Sequence, residues 1–279
     1  MAREVTLVDA GLGNIASVER ALIQVGGAVR VTRNPDEVAT SRCVVFPGQG
    51  AFGAITKRIV EGQMGAALRM VIERGDPFLG ICLGMQLLFD GSDENKGQKG
   101  LGILPGRCRR FPDGMEVGAE SGAEEIVPEA AEAKADTDHA QSVADESTPN
   151  PFTSTPEVGS PMAVQGVPAP QSTQPVTAPI APQAAEPIPP AAEPLVRRLK
   201  VPHMGWNSVE PTGDHYYFVH SYYVEAANSD DVMWMTTYGG IRFPAAVRRN
   251  NILGCQFHPE KSQRAGLKFL RAFLLGGGG

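Results

Sequence analysis

Phe78-Leu79-Gly80-Ile81-Cys82-Leu83-Gly84-Met85-Gln86 decides the reading of this chain. Its first four residues form an apolar run of the length of a buried central strand, and from Met85 to Phe89 the pattern turns helical. A small-x-nucleophile-x-small element at such a switch has a mechanical cause. The turn is so sharp that its middle residue occupies a strained backbone region, and only glycine tolerates the crowding on either side. Cys82 is therefore expected above the sheet, at the N-terminus of a helix, where partial positive charge and unpaired N–H groups favour a thiolate. Cys43, Cys108 and Cys255 lack that context and read as buried structural cysteines. No two of the four are spaced Cys-x-x-Cys, so no structural metal is expected.

Upstream of this turn, Val5-Thr6-Leu7-Val8 closed by Asp9-Ala10-Gly11 reads as a buried strand and a turn. Ile15, Val18, Ala21, Leu22 and Val25 repeat with helical spacing over 15–26. Val29 and Val31 suggest a second strand, Val44-Val45-Phe46 a third, and 66–74 a helix. Strands alternating with helices imply parallel pairing, so the fold class is α/β, a mostly parallel sheet flanked by helices. Further on the chain turns β-rich, with strands expected over 216–223, 232–238, 246–248 and 252–256. An amphipathic helix over 262–275 ends the pattern.

Hydrophobic residues make up 42% of the 279, enough to bury a sizeable core. Between Asp113 and Leu195 fourteen residues are acidic and one, Lys134, is basic, so the net charge of -6 divides into a middle of -13 and a remainder of +7. That remainder suits an anionic metabolite or an acidic partner surface, and no Lys/Arg-rich run points to nucleic acid. The same middle segment holds fourteen of the 23 prolines and one aromatic, Phe152. Such a composition cannot offset the roughly 1–2 kcal/mol per residue of backbone entropy lost on ordering, so 113–195 is expected to be a disordered insert. The folded domain then comes in two parts, 1–112 and 196–275, with the glycines of 276–279 as a frayed tail. The N-terminus has no signal-peptide pattern and no window reaches the ~18 apolar residues of a membrane span, so a cytoplasmic protein with reduced thiols is expected.

A thiolate nucleophile needs a proton carrier and a group that fixes the carrier's tautomer. Gln256-Phe257-His258-Pro259-Glu260 offers both, because residues two apart in an extended segment point to one side. His258 and Glu260 can therefore face one pocket. Phe46-Pro47-Gly48-Gln49-Gly50 follows the third strand, and its two glycines free the backbone to aim N–H groups at a developing oxyanion beside the Leu83 N–H, a contribution of ~3–4 kcal/mol per donor.

Taken together, Pro47-Gly48-Gln49-Gly50, Gly80-Ile81-Cys82-Leu83-Gly84-Met85-Gln86 and Phe257-His258-Pro259-Glu260-Lys261-Ser262 closely resemble the class I, triad-type glutamine amidotransferases. Gly11-Leu12-Gly13-Asn14, Val201-Pro202-His203-Met204-Gly205-Trp206-Asn207 and Phe218-Val219-His220-Ser221-Tyr222-Tyr223 narrow the resemblance to the glutaminase subunits of imidazole glycerol phosphate synthase. The resemblance implies Cys82 as nucleophile, His258 as acid/base and Glu260 as its orienter. It implies an oxyanion loop of Gly48, Gln49 and Gly50 with Leu83, and a glutamine pocket using Gly50, Gln86, Glu94, Ser221 and Tyr222, with Glu94 toward the α-ammonium. Asn14, His203, Met204, Trp206, Asn207 and Lys261 would lie toward the partner, a cyclase subunit similar to a (β/α)8 barrel that receives the ammonia for histidine biosynthesis. No metal or organic cofactor is implied.

Two features depart from the resemblance. Gln49 stands where relatives commonly carry a small apolar residue, and the insert replaces a tight hairpin between Arg110-Phe111 and Val196-Arg197. Three other readings of the same residues stay open at this point. They are an amidotransferase subunit serving another synthase, a cysteine peptidase or hydrolase on a related fold, and a non-catalytic scaffold.

Overall fold

The computed structural model describes residues 2–11, 13–94, 97–114, 116–117 and 197–276. The strands are β1 (Arg3–Val8), β2 (Gly27–Thr32), β3 (Val44–Gly48), β4 (Phe78–Cys82), β5 (Gly91–Ser92), β6 (Gly106–Arg110) and β7 (Glu116–Val117). They continue as β8 (Arg197–Arg198), β9 (His203–Ser208), β10 (His215–His220), β11 (Tyr222–Ala226), β12 (Val232–Tyr238), β13 (Ile241–Arg249) and β14 (Ile252–Cys255). The helices are α1 (Ile15–Gln24), α2 (Pro35–Thr40), α3 (Phe52–Ile59), α4 (Gln63–Glu73), α5 (Leu83–Gln86) and α6 (Gln263–Leu274).

A seven-stranded sheet in the order β12-β13-β14-β4-β3-β1-β2 forms the centre. The run from β14 to β2 is parallel, while β12 and β13 join it antiparallel. Period-two alternation sends each strand's side chains to opposite faces. On β3, Val44 and Phe46 enter one apolar cluster with α4, and Val45 enters the other with α1 and α6. Both faces are covered, as a parallel sheet requires. The residues that α1 buries, Val18, Ala21 and Leu22, are those its spacing marks out. Each fully buried Leu, Val or Phe contributes ~1.5–3 kcal/mol.

Two expected elements differ. The strand expected over 216–223 is two strands, β10 and β11, because β10 pairs with β9 while β11 pairs with β6 in another sheet. The helix expected from Met85 to Phe89 is the short α5 and then a turn. The loop after it takes the carbonyls a longer helix would use: Leu101 N–H donates to Leu87 O, Gly102 N–H to Phe89 O, and Ile103 and Leu104 N–H to Leu88 O. The sequence reading also passed over α2, α3, β6 and β9, although Asn34-Pro35 is a cap signal that the structure uses, with the Asn34 side chain accepting from Asp36 N–H. Beyond its edges the acidic insert lies outside the described residues, as do 277–279. At those edges β7 and β8 pair antiparallel, Glu116 with Arg198 and Val117 with Arg197.

The β9–β10 hairpin turns one face inward. His203 and His220 lie there, 2% and 6% exposed, among Phe111, Phe218, Tyr238 and Phe243. His203 Nδ1 and His220 Nε2 are 3.0 Å apart, and His220 Nδ1 lies 2.8 Å from Tyr222 O. Burial, with lesser charge effects, depresses His203 to about 2 and His220 to about 3. Asn207 is buried beside them and donates to Thr237 O. Of the six residues expected toward a partner, His203 and Asn207 are buried in this chain. Strand alternation leaves Met204 outward, 60% exposed.

Two outcomes follow from this packing. A Cβ at Gly84 would overlap the Phe46 carbonyl, whereas one at Gly240 would meet nothing within 4 Å and only its positive φ is penalised. Gly84→Ala should cost more than ~3 kcal/mol in denaturant unfolding and Gly240→Ala ~1–2 kcal/mol. The histidine pair sets an acid sensitivity. Both are neutral when folded but take protons near pH 6.5 when unfolded, so their stabilisation is complete above that pH and is lost as pH falls toward 3. Stability should drop by up to ~4 kcal/mol from pH 6.5 to 5, at ~1.4 kcal/mol per group per pH unit, and His220→Gln should lower that slope.

Candidate active site

Cys82 ends β4 with φ 53° and ψ -107°, a region that non-glycine residues rarely occupy. The strain is held from both sides. A Cβ at Gly80 would come within 2.6 Å of Gly84 O, and Gly84 itself packs on the Phe46 carbonyl. Leu83 is the first residue of α5, where helix geometry supplies no intrahelical acceptor for its N–H. The other three cysteines are also buried, and burial pushes the Cys43 thiol up to about 11 and those of Cys108 and Cys255 well up, which makes them unreactive.

Parallel registry brings the remaining groups to this turn. Gly48 pairs with Cys82 across β3 and β4, and Cys255 pairs with Ile81 across β14 and β4. The site thus sits outside the carboxyl ends of three adjacent strands, the usual place for ligands on such sheets. Immediately beyond β14, His258 and Glu260 are together, with Nδ1 2.8 Å from Glu260 Oε1. His258 is 1% exposed and the Glu260 side chain 2%. Burial favours the neutral ring, but the Cys82 sulfur and then Glu260 outweigh it and push His258 up to about 10. The ring's Nε2 is buried and makes no hydrogen bond of ordinary geometry, although the sulfur is the foremost group favouring its charge.

The loop of Gly48, Gln49 and Gly50 abuts the turn. A Cβ on Gly48 would lie 3.1 Å from Leu83 Cβ, and Gly50 has φ 112°. The Gln49 amide reaches 3.4 Å from His258 Nδ1, and the gap lined by Gly13, Asn14, Gln49, His258 and Glu260 is about 10 Å³. Glu94 Oε2 accepts from Phe52 N–H at the start of α3, two residues past Gly50. Burial, and after it the charge of Glu94, raises the phenol of Tyr222. Ser221 lies at the break between β10 and β11, where its carbonyl accepts from Phe111 N–H. Gln86 is buried and spends its N–H groups on Tyr222 O and Gln256 Oε1, so it can offer a ligand only its carbonyl oxygen.

Of the residues expected toward a partner, Asn14 is exposed and caps α1, Trp206 is half-buried 6.1 Å from the Tyr217 ring, and exposed Lys261 lies 5.6 Å over that same ring. Sequence spacing assigns no role to Gln256, which the structure places beside the nucleophile. Its Nε2 is 3.5 Å from Cys82 Sγ. The pairing of His258 with Glu260 comes not from the expected extended alternation but from a 3-10 turn over Pro259–Lys261, which His258 caps. Two larger clefts, of 610 and 540 Å³, flank α6 away from this chemistry. Among the described residues no cluster of side chains could hold a metal ion, and no helix is long and apolar enough to cross a membrane.

The family described as class-I glutamine amidotransferase matches residues 6–276. Imidazole glycerol phosphate synthase subunit HisH of Salinibacter ruber is 33% identical over 96% of this chain and 92% of its own, and that of Aromatoleum aromaticum 34% over 97% of both. Among solved structures, a glutamine amidotransferase covers 98% of this chain and 99% of its own at TM-score 0.54 and 16% identity. PurLQS from Thermotoga maritima covers 99% of both at TM-score 0.51 and 13% identity, a likeness of fold. The chain belongs to the class-I glutamine amidotransferase family, among the relatives of the HisH subunits of imidazole glycerol phosphate synthase.

Proposed function

We propose that this glutamine amidotransferase is the glutaminase subunit of an imidazole glycerol phosphate synthase, acting in the cytoplasm as a heterodimer with the cyclase subunit. One observation carries the chemistry: a buried His258–Glu260 pair, 2.8 Å apart, stands beside a strained cysteine at the carboxyl ends of three strands. The HisH relatives supply the pathway.

In the proposed reaction the Cys82 sulfur attacks the side-chain amide carbon of glutamine. N–H groups from the Gly48–Gly50 loop and Leu83 receive the charge that develops on oxygen. As the C–N bond breaks, His258 gives its proton to the nitrogen and ammonia leaves, with the γ-glutamyl group held as a thioester. Neutral His258, still oriented by Glu260, then takes a proton from water as the water attacks. Glutamate departs and the thiolate–imidazolium pair is restored. Glu94, the Gln86 carbonyl oxygen, Ser221, Tyr222 and Gly50 are proposed to hold the substrate. Asn14, Met204, Trp206 and Lys261 are proposed to meet the cyclase barrel, through whose interior the ammonia passes, while His203 and Asn207 support that surface from behind. Gln49 packs its amide beside the His258 ring at rest, 3.4 Å from Nδ1, and basal turnover is expected to be low.

Glutamate release, measured for the chain alone and with the cyclase subunit plus its ribotide substrate, tests this reading. Release should rise at least ~10-fold in the complex and fall by ~1,000-fold or more in Cys82→Ala, with Glu260→Gln losing ~100-fold. Equal release with and without partner removes the coupling. Silence from a folded, partner-bound protein removes the enzyme.

A further inference from the structure

Gln256 is the first residue beyond β14 and is fully buried, with its backbone N–H on Ala245 O. An amide has two ends that differ in chemistry, and here a chain of contacts decides which end meets the sulfur. Tyr222 O can only accept, so the Gln86 atom 2.9 Å from it must be the amide nitrogen. That nitrogen is also 3.0 Å from Gln256, which must turn its oxygen there, leaving its own N–H₂ 3.5 Å from Cys82 Sγ. The other end of the chain is consistent. His220 Nδ1 donates to the same Tyr222 O, so in the neutral ring Nε2 accepts from His203 Nδ1–H. His203 Nε2 then accepts from Asn207, whose other amide hydrogen goes to Thr237 O. Two backbone carbonyls, Tyr222 O and Thr237 O, thus pin every donor between Asn207 and the sulfur.

We propose that Gln256 is a further catalytic residue: its amide N–H, aimed by Gln86, donates to the Cys82 sulfur and stabilises it as the thiolate, both before attack and when the sulfur leaves the thioester. The inference rests on Cys82 being the nucleophile. A buried N–H donor prefers a charged sulfur to a neutral thiol. His258 approaches the same sulfur from two residues further along, so one short segment supplies both the proton carrier and the fixed donor.

The test is alkylation of Cys82 by iodoacetamide in the full chain from pH 5 to 10, followed by peptide mass spectrometry. The other titratable groups acting around this sulfur are His258 with Glu260 behind it, Cys108 on β6 and Cys255 on β14. In Gln256→Met, which keeps the volume and removes the donor, alkylation near pH 6 should fall about tenfold. The two profiles should converge at high pH, where the thiol is ionised either way. Gln256→Glu should fall further, because a carboxylate opposes the thiolate. If Gln256→Met does not fold, Gln86→Leu removes the anchor alone and should slow alkylation several-fold at low pH. Superimposed profiles overturn the proposal, and so does an equal displacement at every pH, which reports access only. The readout is the thiol and not glutamine turnover, so a failure of the glutaminase reading shows separately, as an absence of glutamate release from the unmodified protein.

Discussion

Cys82 occupies backbone angles that an unconstrained cysteine avoids, and the surrounding fold can be understood as what holds it there. The strain is of the order of 1–3 kcal/mol and persists only where neighbours leave no alternative. Gly80 and Gly84 let α5 fold back against its own strand and against the Phe46 carbonyl, and registry between β3 and β4 sets Gly48 level with the sulfur. Buried apolar side chains on both faces of the sheet make the turn rigid. A nucleophile mounted this way needs no rearrangement before it attacks.

The groups around the sulfur come from chain segments far apart in sequence, joined because parallel strands end at a common edge. Two kinds of polar connection reach that edge. One is the short His258–Glu260 pair, whose charge is sustained by the sulfur despite burial. The other is the one-way series of amides and imidazoles from Asn207 to Gln256, neutral throughout and anchored on backbone carbonyls. Buried networks of this kind are stabilising only when every member is satisfied, which the alternation of donors and acceptors achieves here. Burial depresses both of these histidines while the sulfur and Glu260 raise His258, so the same domain favours one charged imidazole and two neutral ones.

Much of this was legible in the sequence. Val5–Val8, Val44–Phe46 and Phe78–Ile81 announce buried strands because a parallel sheet covered on both faces needs continuous apolar runs. The flanking glycines single out Cys82 because the turn is sterically crowded, a local property. A spacing of two marks His258 and Glu260 as a pair, but a 3-10 turn over Pro259–Lys261, and not extended alternation, brings them together. The inward placement of His203 and Asn207 was not legible, because alternation along a strand says which residues share a face but not which face is buried. The break at Ser221 was hidden for a similar reason: Tyr216–Tyr223 is uniformly strand-like, and only its two partners, β9 and β6, divide it. The role of Gln256 depends on contacts with Gln86, 170 positions away, which no local pattern encodes.

The central claim is that Cys82 alone, among four buried cysteines, is the nucleophile toward glutamine. The most direct measurement is covalent labelling by a glutamine-shaped chloroketone in the presence of the cyclase subunit, with the adduct located by peptide mass spectrometry. The account predicts one adduct, on Cys82, suppressed by excess glutamine and absent from Cys43, Cys108 and Cys255. An adduct on any of those three that glutamine suppresses, or an unlabelled Cys82 in a folded complex, would contradict it.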